Sequence, residues 1–265
     1  MNRGDLLKVA FFDSGIGGLS VLHQAMKILP NEEFIFFADE DNVPYGTKTR
    51  EQVLTYVDAA FKFLTAQNVG AIVVACNTAT SVAVRPMREK YSLPVIGMEP
   101  AVKVALDLYP RRKVLVTATE ITIRGEKIKR LIARLHAENF VNLRALSKLV
   151  EFAERQEFVS NDVESYLREE FSGYDFENFS SVVLGCTHFN YFKDTMKKIL
   201  PAHMKILDGN AGTLNQLARL AHLQIGKAKK IPPVKYFYSG RLVTSYDELA
   251  RIENYLRRLD EMILI

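Results

Sequence analysis

Four short apolar runs, each closed by a turn, leave this chain few ways to fold: "LLKVAFFDSG" (6–15), "EFIFFAD" (33–39), "AIVVACN" (71–77) and "LPVIGME" (93–99). They lack the alternation of a strand with one wet face, so they read as parallel strands covered on both sides. Between them, "LSVLHQAMKIL" (19–29) and "REQVLTYVDAAFKFLTAQ" (50–67) repeat apolar residues at helical spacing. Strand–helix–strand alternation indicates βαβ units in a doubly wound sheet.

The pattern then starts over. "KVLVTAT" (113–119), "FVNLRALS" (140–147) and "SSVVLGC" (180–186) are strand candidates, and "TIRGEKIKRLIARLHAE" (122–138) and "NDVESYLREEFS" (161–172) are helix candidates. The tail adds a helix in 212–226, a strand in 235–241 and a helix in 245–259. The turn-rich stretches "GMEP" (97–100) and "LDGNAG" (207–212) mark the crossings. The expectation is two pseudo-symmetric α/β domains with mostly parallel sheets and a site in the cleft between them. The first takes residues 1–98 with 209–265, the second 99–208.

Composition removes several function classes. With 48% hydrophobic and 25% charged residues in 265, the chain buries a core with ease and is not a disordered segment. The net charge is +4, and "RRK" (111–113) and "KAKK" (227–230) read as solvated loops, so no nucleic-acid partner is expected. Charges interrupt the N-terminal apolar stretch, which argues against a signal peptide. Nothing approaches the roughly 18 apolar residues of a membrane span, so no membrane partner is expected. Two cysteines without a CxxC pair imply reduced thiols, a cytoplasmic location and no metal.

Those two cysteines close matching strands, "AIVVACNTATS" (71–81) and "SVVLGCTHFNY" (181–191). In open α/β sheets ligands bind beyond the carboxyl ends of strands. Polar clusters fall at four such ends: Asp13-Ser14-Gly15, Cys76-Asn77-Thr78, Thr117 to Thr122 and Cys186-Thr187-His188. "DSGIGGLS" (13–20) lacks the GxGxxG spacing and the GK[ST] of nucleotide loops. Gly15, Gly17 and Gly18 instead read as a tight turn whose N–H groups face the site and donate to a carboxylate. Asp13 is then available to orient an ammonium or to assist a thiol. The cysteines themselves admit a disulfide, two unrelated buried thiols, or a catalytic pair. His188 stands two positions from Cys186 and could take its proton or lend it positive charge. A nucleophilic hydrolase needs one cysteine. Chemistry on both faces of one carbon needs two, one starting as thiolate and the other as thiol. That points to a racemase, with both sulfurs facing a single cleft that has room for an amino acid.

"FFDSGIGGLSVL", "PYGTKT", "VACNTA" and "GCTHF", in this order, resemble the glutamate racemases of the aspartate/glutamate racemase superfamily over nearly the whole chain. The histidine after "GCT" favours the glutamate branch. The resemblance implies a cofactor-independent and metal-independent enzyme that interconverts L- and D-glutamate and supplies D-glutamate for peptidoglycan. Cys76 and Cys186 would be the two bases, the first deprotonating the D-enantiomer and the second the L-enantiomer. Asp13 and His188 would assist them. Ser14, Pro44, Tyr45, Gly46, Asn77, Thr78 and Thr187 would hold the substrate, with Thr119 and Thr122 as further contacts. "LSKLVEFAE" is similar to a segment ending in a functional glutamate, here Glu154. A homodimer is expected. Asn42, Gly125, Glu151 and Asn190 depart from the family pattern, which keeps two alternatives open: a racemase of another acidic amino acid such as aspartate, and a binding protein without turnover.

Overall fold

A computed structural model describes residues 7–227 and 232–263. Leu6, the start of the first apolar run, and most of "KAKK" lie outside the described residues. The first elements are β1 (Lys8–Asp13), α1 (Leu19–Ile28), β2 (Glu33–Ala38), α2 (Arg50–Ala66), β3 (Ala71–Val74), α3 (Asn77–Lys90) and β4 (Val95–Gly97). Next come α4 (Val102–Leu108), β5 (Lys113–Ala118), α5 (Glu120–Arg124), α6 (Glu126–Arg134), β6 (Val141–Ala145) and α7 (Lys148–Glu154). They are followed by α8 (Asn161–Phe171), β7 (Phe179–Leu184), α9 (Lys193–Ile199) and β8 (Lys205–Asp208). The last are α10 (Asn210–Leu220), β9 (Val234–Tyr238), β10 (Arg241–Leu242) and α11 (Tyr246–Ile263).

The strands form two sheets, one ordered β10-β9-β2-β1-β3-β4 and the other β6-β5-β7-β8. Every pairing is parallel except β10 against β9. Alternate residues of each strand serve different cores, as the two-residue period of a strand requires. In β1, Val9 and Phe11 enter a core shared by both sheets, whereas Ala10 and Phe12 enter one beneath α2 and α3. In the second sheet, Leu115 and Val182 join the shared core, whereas Val114, Val116 and Val183 pack with α4 and α6. Burial on both faces is why these strands read as unbroken apolar runs. Among the described residues no helix is long and apolar enough to cross a membrane.

Two local expectations are corrected. The polar stretch after Cys76 is the start of α3, with Cys76 as its N-cap. The stretch 122–138 is two helices, because the backbone at Gly125 is extended (φ −68°, ψ 148°) between α5 and α6. The 7-residue helices α4, α7 and α9 and the strands β8 and β10 are too short for periodicity to reveal.

In the first sheet β1 and β3 are neighbours, yet α1 after β1 packs into the shared core and α3 after β3 into the opposite one. Their loops part, and the crevice so formed is where such sheets place ligands. β5 and β7 repeat this in the second sheet, with α6 on one face and residues 187–192 on the other.

Candidate active site

The two crevices meet. Ser14, Pro44, Tyr45, Gly46, Cys76, Asn77, Thr78, Thr119, Val150, Cys186, Thr187 and His188 line one cavity. Asp13, Thr122 and Glu154 stand directly behind it, each hydrogen-bonded to a lining residue. Val150 of α7 is the one lining residue that no sequence pattern marks. The four departures Asn42, Gly125, Glu151 and Asn190 are not among the lining residues.

On the first wall, Cys76 is buried and its Sγ accepts the Ala79 N–H at 3.4 Å, capping α3. Ser14 Oγ lies 3.5 Å from the same sulfur. Burial pushes the Cys76 thiol up to about 12, and the neighbouring Asp13 carboxylate adds to the shift. The Ala79 N–H and Ser14 favour the thiolate but are outweighed. Cys76 therefore holds its proton at neutral pH. Asp13, wholly buried at the end of β1, accepts from Ser14 Oγ and the Gly15 N–H at 3.2 Å each and from Thr187 Oγ1 at 2.9 Å. Burial raises its carboxyl above the usual range, against the pull of His188.

On the second wall, Cys186 Sγ is 3.7 Å from His188 Nδ1, and His188 Nε2 is 2.7 Å from Glu154 Oε1. Burial alone would lower the imidazole pKa, but its contacts with Cys186 and Glu154 carry it well above 6.5. The ring bridges the Cys186 sulfur and the Glu154 carboxylate, and when protonated it donates to both. It then sets positive charge where a thiolate at Cys186 would need it.

The glycine turn serves a purpose other than the expected one. Its N–H groups bind carboxylates of the protein itself: Gly15 donates to Asp13 and Ile16 to Glu154 Oε1, each at 3.2 Å. Close approach demands the glycines. A Cβ on Gly17 would meet His188 Nδ1 at 2.4 Å and Thr187 Oγ1 at 2.5 Å, and one on Gly15 would meet Glu154 Oε1 at 2.2 Å.

Two further expectations are modified. The Tyr45 hydroxyl donates to Asp39 at 2.6 Å, so its proton is engaged, and Tyr45 and Gly46 both line the cavity wall. Asn42 holds the same Asp39 through both carboxylate oxygens at 3.0 Å. The cleft is also shut. Its volume is about 10 Å³, room for about one water. Thr78, Thr119 and Thr122 bond one another at 2.9–3.2 Å, and Thr187 reaches across to Asp13. Hydroxyls that both donate and accept can satisfy each other in this way until a carboxylate displaces them. A substrate must part the walls to enter.

The chain matches the family described as Asp/Glu/Hydantoin racemase over residues 20–217. A glutamate racemase from Campylobacter curvus is 49% identical, covering 98% of this chain and 100% of its own. The solved structure of glutamate racemase isoform RacE1 from Bacillus anthracis has a TM-score of 0.81 at 26% identity, covering 95% of this chain and 94% of that one. Glutamate racemase from Francisella tularensis in complex with D-glutamate has a TM-score of 0.78 at 28% identity, with 95% and 94% covered. With the family match running through both thiol-bearing strands, the chain belongs to the Asp/Glu/Hydantoin racemase family.

Proposed function

We propose that the protein is a glutamate racemase that moves the α-proton between Cys76 and Cys186. The observation that carries this is the pair of buried thiols at equivalent strand ends of two sheets, lining one cavity. In the L-to-D direction, Cys186 as thiolate takes the α-proton: the C–H bond breaks and an S–H bond forms. The electron pair delocalises into the α-carboxylate. Cys76, held as the thiol, gives its proton to the opposite face and becomes the thiolate. The reverse direction exchanges the roles. Ser14, Asn77, Thr78, Thr119, Thr122 and Thr187 hold the carboxylates and ammonium, and Asp13, His188 and Glu154 tune the thiols. Both proton carriers are side chains and the electron pair rests on the substrate's own carboxylate, so the step as written uses no cofactor. The division into 1–98 with 209–265 and 99–208 belongs to the same proposal, since each unit then supplies one thiol. So do a cytoplasmic location, a homodimer and a role in supplying D-glutamate for peptidoglycan.

Glutamate is favoured over aspartate because the similar proteins that align over nearly the whole chain are glutamate racemases. Circular dichroism of L-glutamate and L-aspartate solutions with the enzyme tests this. Loss of ellipticity is expected for glutamate alone, and loss only with aspartate would overturn the substrate assignment. Gly17→Ala forces the His188 and Thr187 side chains out of their places. Displacements near 1 Å cost about 10²-fold in rate, and that fall in kcat/KM is expected. An alanine variant of unchanged activity would show that the close approach is dispensable.

A further inference from the structure

Behind the second thiol, Glu154 is held by a charged pair, Arg251 and Glu40, to which the proton-transfer chemistry gives no role. Arg251, on α11, sits between two carboxylates. One guanidinium nitrogen is 3.3 Å from Glu40 Oε2, just after β2, and the other is 3.2 Å from Glu154 Oε2, at the end of α7. The second nitrogen also donates to the Glu154 main-chain carbonyl at 3.3 Å. Tyr255, one turn further along α11, donates its hydroxyl to that carbonyl at 3.1 Å and to the Ala153 carbonyl at 2.9 Å. The last carbonyls of a helix have no partner within it, and cationic side chains there are favourable. So α11 caps α7, and the cap fixes the residue that orients His188. With Oε2 tied to Arg251, Glu154 offers Oε1 to His188 at 2.7 Å and to the Ile16 N–H at 3.2 Å.

We infer that Arg251 is a positioning residue for the Cys186 half-site. It clamps Glu154 of the second unit to Glu40 of the first and so holds the imidazole against the thiol. This rests on the racemase proposal only for its kinetic consequence; the clamp itself is a claim about His188. Arg251 has partners on every side: its guanidinium faces the Tyr238 ring at 6.0 Å and the Tyr255 ring at 5.6 Å. Glu40 is the partner most exposed to a loss, because its Oε1 is buried without a hydrogen bond.

The test uses Arg251→Met, Arg251→Lys and the double variant Arg251→Met with Glu40→Gln. Arg251→Met alone leaves the buried Glu40 carboxyl without its partner and could unfold the chain; the double variant replaces that carboxyl by a neutral amide. For each, kcat and KM for glutamate are measured, and the His188 imidazole is titrated by NMR in the ligand-free protein. In the double variant the melting temperature should recover, while kcat stays on the order of tenfold low and KM changes by less than about twofold. The His188 midpoint should fall, because the Glu154 contact that raises it has loosened. Arg251→Lys should restore most of kcat. If kcat recovers together with the melting temperature in the double variant, or the His188 midpoint does not fall, Arg251 is merely structural and the inference is overturned. Should the wild type fail to racemise glutamate, the His188 titration still decides the clamp.

Discussion

Cys76→Ala is expected to lower net racemisation by about 10²–10⁴-fold, the scale of a positioned acid or base. It should nevertheless leave exchange of the α-proton of L-glutamate with solvent. Cys186 and its partner His188 are untouched by the substitution, so one face of the carbon can still be deprotonated and reprotonated. Cys186→Ala should give the mirror result, exchange confined to D-glutamate. Two enantiomers have an equilibrium constant of unity, so kcat/KM must fall equally in both directions for either variant. The asymmetry between a thiol pushed up to about 12 and one facing a histidine can appear only in exchange, kcat and KM taken separately. Proton NMR in heavy water reads the exchange and circular dichroism reads the racemisation. A variant that racemises at the wild-type rate would remove that cysteine from the mechanism.

Tyr191→Ala is expected to cost about 3–5 kcal/mol of unfolding free energy, the usual price of deleting a buried aromatic ring. Tyr191 has no exposed surface, and its ring lies 5.3 Å from Phe158 and 5.4 Å from Tyr255, centroid to centroid. Its hydroxyl donates to the Ile16 carbonyl at 3.0 Å, and its own carbonyl accepts from two nitrogens of Arg258 at 3.0 and 2.9 Å. It thus joins the glycine turn, the loop after β7 and α11, which is why activity should fall with stability. Tyr191→Phe keeps the ring and removes one hydrogen bond to the Ile16 carbonyl, which still accepts the Leu19 N–H, for about 1 kcal/mol. Urea titrations measure both. A cost below about 1 kcal/mol for the alanine variant would show that the shared core does not depend on this ring.

How far these features were legible varies with their physical origin. The strands carrying Asp13 and Cys76 were plain, because burial on both faces writes an unbroken apolar run. The tail strand was legible too, although its place beside β2 is a tertiary fact. Cys76 looked like the start of a turn because an N-cap and a turn ask for the same small polar residues. The chain shows no sign at Tyr45 that its hydroxyl is spent on Asp39, since only folding brings that carboxylate to it. The glycines of "DSGIGG" were visible, but their cause was not. Gly15 and Gly17 yield space to Glu154, His188 and Thr187, more than a hundred positions away. Glu40 and Arg251, separated by 211 positions, belong to no motif in the sequence and meet only through α11.

The central claim is that two thiols serve opposite faces of one carbon. L-glutamate converted in heavy water to a few per cent, with deuterium then measured at the α-carbon of product and of recovered substrate, tests it most directly. The account predicts D-glutamate fully deuterated at that position, its new hydrogen coming from solvent-equilibrated Cys76, and recovered L-glutamate still carrying protium. D-glutamate that retains the substrate's own α-proton at low conversion would mean that a single group takes and returns it, and would contradict the two-thiol mechanism.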